Sequence, residues 1–503
     1  MPAPVQTAQI PQSDMPARGD SLDTKLLDRS LVQGMFWTGG VKWASQVVSW
    51  LTTILVARIL TPGDYGIVGM ATAFIGIVSL LNEFGVGITI VSLRDLSDRV
   101  VAQLNSLSVI FGVAGLLLCC AVAVPLAQFY GTSEVAPVVM VMAIGFVLTG
   151  FRTVPSALLQ KELRFRVLAL IDGLQVFVQA AFMVAVAFMG FGFWTLVVGG
   201  LVGTLVAMVA TLAVRTHPFA PPSMTALKEA MTFSKHIVLS RLSWCIQSNA
   251  DSVVAGKVLG QAALGAYGMA LSLAMAPVEK IAAVVSQVTT SLFAAVQKDP
   301  AALRRYFISL TEGFALIIFP ATLGIALVAE ELVPLVLGEK WLEVTPPLQV
   351  LACYAAFRAI QTLPPQVLFV TGGSRLGMWN ALGVSIVLPI TFYLCSRWGT
   401  QGIAMSWLIV HPLAAIPTNW FVFRKIELNI LDYFRSLRPA LVGCLCMLVV
   451  VVLVKQSMPD GWPLATRFVG EVAAGAAMYA LTTLVLHGER ARAFIRVIRR
   501  GVA

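Results

Sequence analysis

Long apolar runs dominate this sequence and restrict its folds more than any other feature. The 503 residues are 58% hydrophobic and 12% charged, whereas soluble proteins carry roughly 25% charged residues. About 20 apolar residues cross a bilayer core as a helix, whose backbone polar groups are satisfied internally. The pattern predicts an all-α polytopic membrane protein with about fourteen spans. They lie near residues 36–58, 65–89, 104–129, 136–159, 167–190, 193–215, 233–257, 264–295, 309–337, 347–370, 377–396, 401–423, 437–455 and 467–487.

The positions of the 35 Lys and Arg residues orient these spans. With the spans alternating, 24 of them fall on the side of the N-terminus and six on the opposite side. Short cytoplasmic loops are enriched in Lys and Arg, so both termini are predicted to be cytoplasmic. The net charge of +10 follows from this bias, and we expect no nucleic-acid partner.

Two stretches of the chain resemble each other. ILTPGDYGIVGMA at 59–71 and VLGQAALGAYGMA at 258–270 share five residues at a constant offset of 199. Six predicted helices separate the copies, which indicates parallel repeats about an axis normal to the membrane. Gly66 with Gly69, and their copies Gly265 with Gly268, are interpreted as positions of close helix packing. Alternatively, the helices bend at these glycines.

The repeat and the basic ends divide the chain into five segments. We expect two pseudo-symmetric six-helix lobes, an extra helix pair and two cytoplasmic tails. The predicted segments are a flexible tail at 1–32, an N-lobe at 33–216, a C-lobe at 217–425, the helix pair at 426–488 and a basic tail at 489–503.

Four cations within the predicted spans are the candidate substrate-binding residues. The repeat aligns Lys42 with Arg241 and Arg152 with Arg358. Charged residues within spans usually face a cavity, and Arg grips phosphate through two hydrogen bonds. The pairs predict an inward-facing cationic cavity for a phosphate or diphosphate. Alternatively, these long side chains extend to the lipid headgroups.

Acidic residues within spans are candidates for binding a coupling ion. Asp251 lies farthest from the cytoplasmic end of its helix, and Glu83 lies within another span. Asp251 either binds H⁺ or Na⁺ or compensates the charge of Arg241. The seven cysteines all fall in apolar spans without ligand spacing. We therefore expect no metal site, no catalytic residue and no cofactor.

Several motifs follow one another along the chain, namely GGVKWAS (39–45), VARILTPGDYGIVGMATAF (56–74), NEFGVG (82–87), SALLQKELRF (156–165), VAGKVLGQAALGAYGMA (254–270) and VPLVLGEKW (333–341). Their order resembles the polysaccharide transporter family, in particular its colanic acid exporter type. The resemblance implies an inner-membrane flippase that moves undecaprenyl-diphosphate-linked oligosaccharide to the periplasm for exopolysaccharide, capsule or O-antigen assembly. It implies alternating access, with a polysaccharide polymerase and export machinery as expected partners.

Two other functions remain open from the sequence. A cation-coupled multidrug antiporter of the same superfamily would have an acidic, aromatic cavity, whereas the paired residues here are basic. A membrane glycan polymerase or glycosyltransferase would have a sizeable segment outside the membrane, and the longest internal connections here are about twenty residues. We therefore expect a transporter that is not an enzyme.

Overall fold

The computed structural model describes residues 20–82, 86–92, 96–221, 243–459 and 461–502. Within these ranges all regular elements are α-helices or short 3₁₀ helices. The first half contains α1 (Asp20–Ile59), α2 (Pro62–Asn82), α3 (Val86–Ser92), α4 (Asp98–Tyr130), α5 (Val135–Lys161), α6 (Phe165–Phe188) and α7 (Trp194–Val214).

The second half begins in the described residues with α8 (243–259). It continues with α9 (Gln261–Ala295), α10 (Pro300–Leu327), α11 (Ala329–Val336), the 3₁₀ helix η1 (Glu339–Val344), α12 (Thr345–Ile360), α13 (Pro364–Val370), α14 (Ser374–Cys395), the 3₁₀ helix η2 (Ser396–Trp398) and α15 (Gly399–Lys425). The last two helices are α16 (Ile430–Ser457) and α17 (Leu464–Val502).

Over the residues that the structure describes, each predicted span coincides with one or two of these helices, which confirms a polytopic all-α fold. Nine stretches of the described residues are long and apolar enough to cross a membrane. The count of fourteen crossings stays a prediction. Two spans differ from a single rod, because the helix is interrupted between α10 and α11 and between α12 and α13. The last break lies immediately before Pro364 and Pro365. These prolines account for it, because proline cannot donate a backbone hydrogen bond inside a helix.

Local sequence signals account for several helix ends. The Ser97 side chain accepts a hydrogen bond from the Val100 N–H at the start of α4, and α4 ends at Gly131 with φ of 73°. Asp299 caps α10 ahead of Pro300. Such caps satisfy the free backbone groups of a helix terminus. At the N-terminus, α1 already begins at Asp20, so residues 20–32, expected to belong to a flexible tail, are helical.

The helices of the two halves pack in corresponding pairs. In the first half α4 packs on α5, α5 on α7, α6 on α7, and α2 on both α4 and α5. In the second half α10 packs on α12, α12 on α15, α14 on α15, and α9 on both α10 and α12. The pair of α1 and α6 is matched by α8 and α14, where Gln247 Nε2 donates to the Ala381 carbonyl at 2.8 Å. Helix α16 packs on α10 and α17 packs on α16, outside this repeated pattern.

The two halves meet where the repeated motif contacts its own copy, along α2 and α9. A Cβ added to Gly66 would lie 1.7 Å from the Gln261 carbonyl oxygen, and one added to Gly265 would lie 1.8 Å from the Pro62 carbonyl oxygen. Both are glycines because no larger residue permits this approach of the two backbones. We call these four residues the glycine seam.

Candidate functional site

Arg152 on α5 is held by two polar side chains of α6. Its Nη2 lies 2.6 Å from Asp172 Oδ1, and its Nη1 donates to Gln175 Oε1 at 3.4 Å. The Arg152 side chain is 23% exposed and that of Asp172 is 58% exposed. An ion pair open to solvent on one side contributes little stability. Another anion can therefore replace Asp172 as the partner of the Arg152 guanidinium.

Lys42 lies at the same level of the first half as Arg152. Its neighbours Val41 and Ser45 approach Gly173, where an added Cβ would lie 2.8 Å and 3.6 Å from their side chains. Gly173 adjoins Asp172, the carboxylate that pairs with Arg152. Lys42 is exposed. The packing of α1 on α6 therefore brings two of the predicted cations into one region.

Arg358 lies in the last turn of α12, immediately before the break that separates α12 from α13. A cation is favoured at this end of a helix, where backbone carbonyls lack partners. Arg358 is exposed, and its Nη1 donates to the Tyr354 hydroxyl at 3.4 Å. Tyr354 is 1% exposed and stacks on Trp407, with ring centroids 5.4 Å apart. Its other ring neighbour is His411.

Asp251 on α8 is fully buried behind the same aromatic group. The Tyr267 hydroxyl donates to its Oδ2 at 2.8 Å, and the Ser252 N–H donates to its Oδ1 at 2.7 Å. Trp407 Nε1 in turn donates to the Tyr267 hydroxyl at 2.8 Å. Since Tyr354 stacks on Trp407, a continuous set of contacts links Asp251 to Arg358.

The structure describes four of the six predicted site residues. In the first half, Lys42 lies on the helix that packs against Gly173, and Arg152 pairs with the adjacent Asp172. In the second half, the aromatic contacts link Asp251 to Arg358. Convergence of the cations on one cavity stays a prediction. Arg241 and Glu83 lie outside the described residues.

The end of the bundle that carries Arg58 joins the two halves by contacts between helix ends. Arg58 Nε donates to the Val336 carbonyl at 2.9 Å, and its Nη2 donates to that of Leu335. In return, Lys340 Nζ donates to the carbonyls of Arg58 at 2.7 Å and Ile59 at 2.9 Å. Each cation therefore meets the C-terminal end of a helix from the other half, where it is electrostatically favoured.

A buried tryptophan completes this contact, which we call the Arg58 latch. Trp341 is 0% exposed, and its Nε1 donates to the Ala57 carbonyl at 2.8 Å. Burial lowers the pKa of the Lys340 ammonium, and nearby Asp64 acts in the opposite direction. The latch is defined by residues 57–59 of α1, the last two residues of α11, Lys340 and Trp341.

The repeat supplies a second contact of the same kind. Lys257, the copy of Arg58, donates from its Nζ to the Phe129 carbonyl at the end of α4 and lies 5.0 Å from the Phe129 ring centroid. Each half therefore extends a cation from the helix before its motif to a helix end in the other half. The described structure is closed between the halves at the Arg58 end.

Helix length places the candidate site far from this closure. Arg152 lies 17 residues from the start of α5, Lys42 lies 17 residues before the end of α1, and Arg358 lies 13 residues into α12. At a rise of 1.5 Å per residue, these cations lie roughly 20–25 Å from the Arg58 end. Asp251, eight residues before residue 259, lies roughly 12 Å from it.

The sequence prediction did not include the latch residues among the functional ones. In the sequence, Arg58, Lys257 and Lys340 count only among the six Lys and Arg residues on the side opposite the N-terminus. Two signals pointed to them, namely the alignment of Arg58 with Lys257 in the repeat and the motif VPLVLGEKW at 333–341. Tyr267 and Trp407 gave no comparable signal, because aromatic residues are common in apolar helices.

Structural comparison shows the fold of this chain in two groups of transporters. The chain superposes on a structure titled "Lipid II flippase MurJ, inward closed conformation" with a TM-score of 0.73 and 12% identity, over 90% of this chain and 99% of that one. An inward-facing multidrug resistance MATE family transporter of the MOP superfamily gives a TM-score of 0.62 and 19% identity, over 76% and 94%.

Sequence comparison finds relatives along most of the chain. "Teichuronic acid biosynthesis protein TuaB" of Bacillus subtilis (strain 168) is 24% identical over 90% of this chain and 95% of its own length. "Lipopolysaccharide biosynthesis protein WzxC" of Escherichia coli (strain K12) is 25% identical over 80% and 81%. A family model described as "Polysaccharide biosynthesis protein" matches residues 55–346, more than half of the chain. The chain therefore belongs to this family of polysaccharide biosynthesis proteins.

Proposed function

We propose that the protein is a flippase of lipid-linked oligosaccharides. It moves undecaprenyl-diphosphate-linked repeat units across a bacterial inner membrane, for assembly into exopolysaccharide, capsule or O-antigen. The observation that carries this proposal is the contrast between the two ends of the bundle. The halves are joined at the Arg58 end, whereas the candidate anion-binding residues lie roughly 20–25 Å away.

The contrast between the ends supports alternating access. By the excess of Lys and Arg on the N-terminal side, the Arg58 end faces the periplasm. The described conformation is then closed to the outside. Release of the substrate requires the Arg58 latch and the glycine seam to separate. Relatives named for teichuronic acid and lipopolysaccharide biosynthesis, and the fold shared with a lipid II flippase, support a polyprenyl-linked glycan as the substrate.

The exposed cations account for recognition of the diphosphate. Lys42 and Arg358 are exposed, and Arg152 is paired with a half-exposed carboxylate. A diphosphate that replaces Asp172 at Arg152 gains charge-assisted hydrogen bonds without leaving a buried charge alone. Binding of this kind is reversible, as transport requires.

Asp251 is the proposed site of a coupling ion. It is fully buried, accepts hydrogen bonds from Tyr267 and Ser252, and is linked through aromatic contacts to Arg358. Binding of H⁺ or Na⁺ to its carboxylate would neutralise a buried negative charge. The proposed partners on the periplasmic side are a polysaccharide polymerase and the export machinery.

The proposal is tested by export of surface polysaccharide in a strain that depends on this protein. We expect Arg152→Gln combined with Arg358→Gln to reduce export at least about tenfold, since each lost charge-assisted hydrogen bond costs about 1.5–3 kcal/mol. Arg375→Gln, at an exposed arginine in the first turn of α14, is the matched control.

The same strains separate the proposed function from drug transport. In a flippase, the double variant accumulates lipid-linked repeat units, and efflux of a fluorescent lipophilic cation does not change. Unchanged export at normal protein level would refute the cationic site. Loss of cation efflux instead would identify an antiporter.

A further inference from the structure

A group of charged side chains lies buried at the Arg58 end, between α11 and the final helix pair. Lys455 of α16 lies 2.8 Å from Glu331 Oε2, 3.5 Å from Glu330 Oε2 and 3.8 Å from Glu471 Oε2. Arg467 Nη2 lies 3.7 Å from Glu331 Oε1. These groups come from α11, α16 and α17. They were not part of the predicted site.

Glu471 is the exceptional member of this group. Its side chain is 0% exposed, and neither carboxylate oxygen accepts a hydrogen bond within the described residues. The charged groups that face it are Glu330 and Glu331 of α11, Lys455 of α16, and Arg467 of its own helix. Because solvent screens Glu330, which is 64% exposed, the buried part of the group holds two carboxylates against two cations, and the carboxylate of Glu471 lacks a hydrogen bond in the part of the chain that the structure describes. A buried carboxylate in this state is costly.

A bound proton reduces this cost. A protonated Glu471 becomes a hydrogen-bond donor, and the neighbouring carboxylate is that of Glu331, which has a side-chain exposure of 4% and contacts the same Lys455 ammonium. Two carboxylates in one site share a proton for this reason. A metal cation fits less well, because Lys455 and Arg467 already surround the carboxylates with positive charge.

We propose that Glu331 and Glu471 form a proton-binding carboxyl pair that controls the Arg58 latch. The connection is α11, a helix of eight residues. Its second and third residues are Glu330 and Glu331, and its last two, Leu335 and Val336, accept the hydrogen bonds of Arg58. The two sites are separated by only four residues, roughly 6 Å of helix. A shift of α11 therefore moves both together.

The direction of the pH effect depends on which state of the latch, closed or open, binds the proton more tightly. The described closed state buries Glu471 without a hydrogen bond to either carboxylate oxygen, so it favours the protonated carboxyl. Raising the pH removes this proton and leaves a buried carboxylate without a hydrogen bond, which favours displacement of α11 and opening of the latch. One linked proton changes the ratio of closed to open molecules by up to about tenfold per pH unit. Proton binding to this pair thus stabilises closure.

The carboxyl pair gives the final helices, α16 and α17, a role in the flippase cycle, and this role rests on the proposed function. The proton site itself is a property of the isolated protein. It is tested without substrate or transport, so its failure is distinguishable from failure of the flippase function.

The test is hydrogen–deuterium exchange of the purified full-length protein in lipid nanodiscs, measured across a pH series. After correction for the intrinsic pH dependence of exchange, opening of the latch is read from the amides of 57–60 and 335–341. We expect protection of the wild-type latch to fall by up to about tenfold per pH unit above the titration of the pair. We expect Glu471→Gln, an uncharged isostere, to keep the latch protected at every pH.

Glu330→Gln is the matched control, because Glu330 is 64% exposed and its carboxylate lies farther from Lys455 Nζ, at 3.5 Å, than that of Glu331, at 2.8 Å. It is expected to keep the wild-type pH response. A pH-independent wild-type latch, or a Glu471→Gln variant that responds like the wild type, would overturn the proposal. If Glu471→Gln does not fold, Glu331→Gln replaces it. Infrared difference spectra supply a second readout, since the protonated carboxyl band must disappear at high pH in the wild type.

Discussion

Gly66→Ala is expected to separate α2 from α9 and to destabilise the closed conformation. A Cβ at this position would lie 1.7 Å from the Gln261 carbonyl oxygen, whereas ordinary contacts begin at 3.4 Å. The helices must therefore move apart by about 1.7 Å, because the obstructing atom belongs to the backbone and cannot rotate away. Overpacking of this kind costs typically about 1–3 kcal/mol. If the open state is unaffected, the ratio of open to closed molecules rises roughly 5- to 150-fold.

Hydrogen exchange at the amides of 261–266 measures this shift, since opening of the seam exposes the start of α9. Gly265→Ala is expected to act in the same way, because its Cβ would lie 1.8 Å from the Pro62 carbonyl oxygen. Gly268→Ala is the matched control on the same helix, where an added Cβ meets nothing within 4 Å. Equal exchange in Gly66→Ala and Gly268→Ala would refute the close packing of the seam.

Three further substitutions test the contacts around the site. Arg58→Gln removes charged hydrogen bonds to two carbonyls and is expected to speed exchange at 335–341 severalfold; unchanged exchange would contradict a latch. Trp341→Phe keeps an aromatic ring buried but loses the hydrogen bond to the Ala57 carbonyl. We expect a lower melting temperature, corresponding to a loss of about 1 kcal/mol in stability. A melting temperature equal to that of the wild type would show that this hydrogen bond contributes nothing. Tyr267→Phe removes a hydrogen-bond donor to the buried Asp251 carboxylate. We expect a similar loss of stability together with a changed dependence of export on pH or Na⁺. If only the stability falls, Asp251 has a structural role.

Much of the fold was predictable because lipid imposes a simple requirement on sequence. Each span must be apolar for about 20 residues, and each predicted span coincides with helices over the part of it that the structure describes. The internal breaks were harder to predict. The break after Arg358 has a signal in Pro364 and Pro365, but hydropathy does not change where a helix is interrupted.

The candidate site was predictable in part. Charge inside an apolar span is expensive, so Lys42, Arg152, Arg358 and Asp251 stood out from the sequence. The contacts that these residues make could not be predicted from the sequence. Arg152 pairs with a carboxylate 20 residues away, and Asp251 with a tyrosine on the next helix. Neither contact follows from spacing within one helix, because each depends on the rotation of two helices about their axes.

The sequence by itself determined that the chain lies in a membrane, that it is helical, and that its two halves are copies. These properties follow from composition and repetition, which each segment carries alone. Only the tertiary structure showed that the repeated motif packs against its own copy, and that Arg58 reaches carbonyls 277 and 278 residues away. The physical reason is that hydropathy reports the environment of one helix, whereas contact between two helices depends on the shapes of both surfaces.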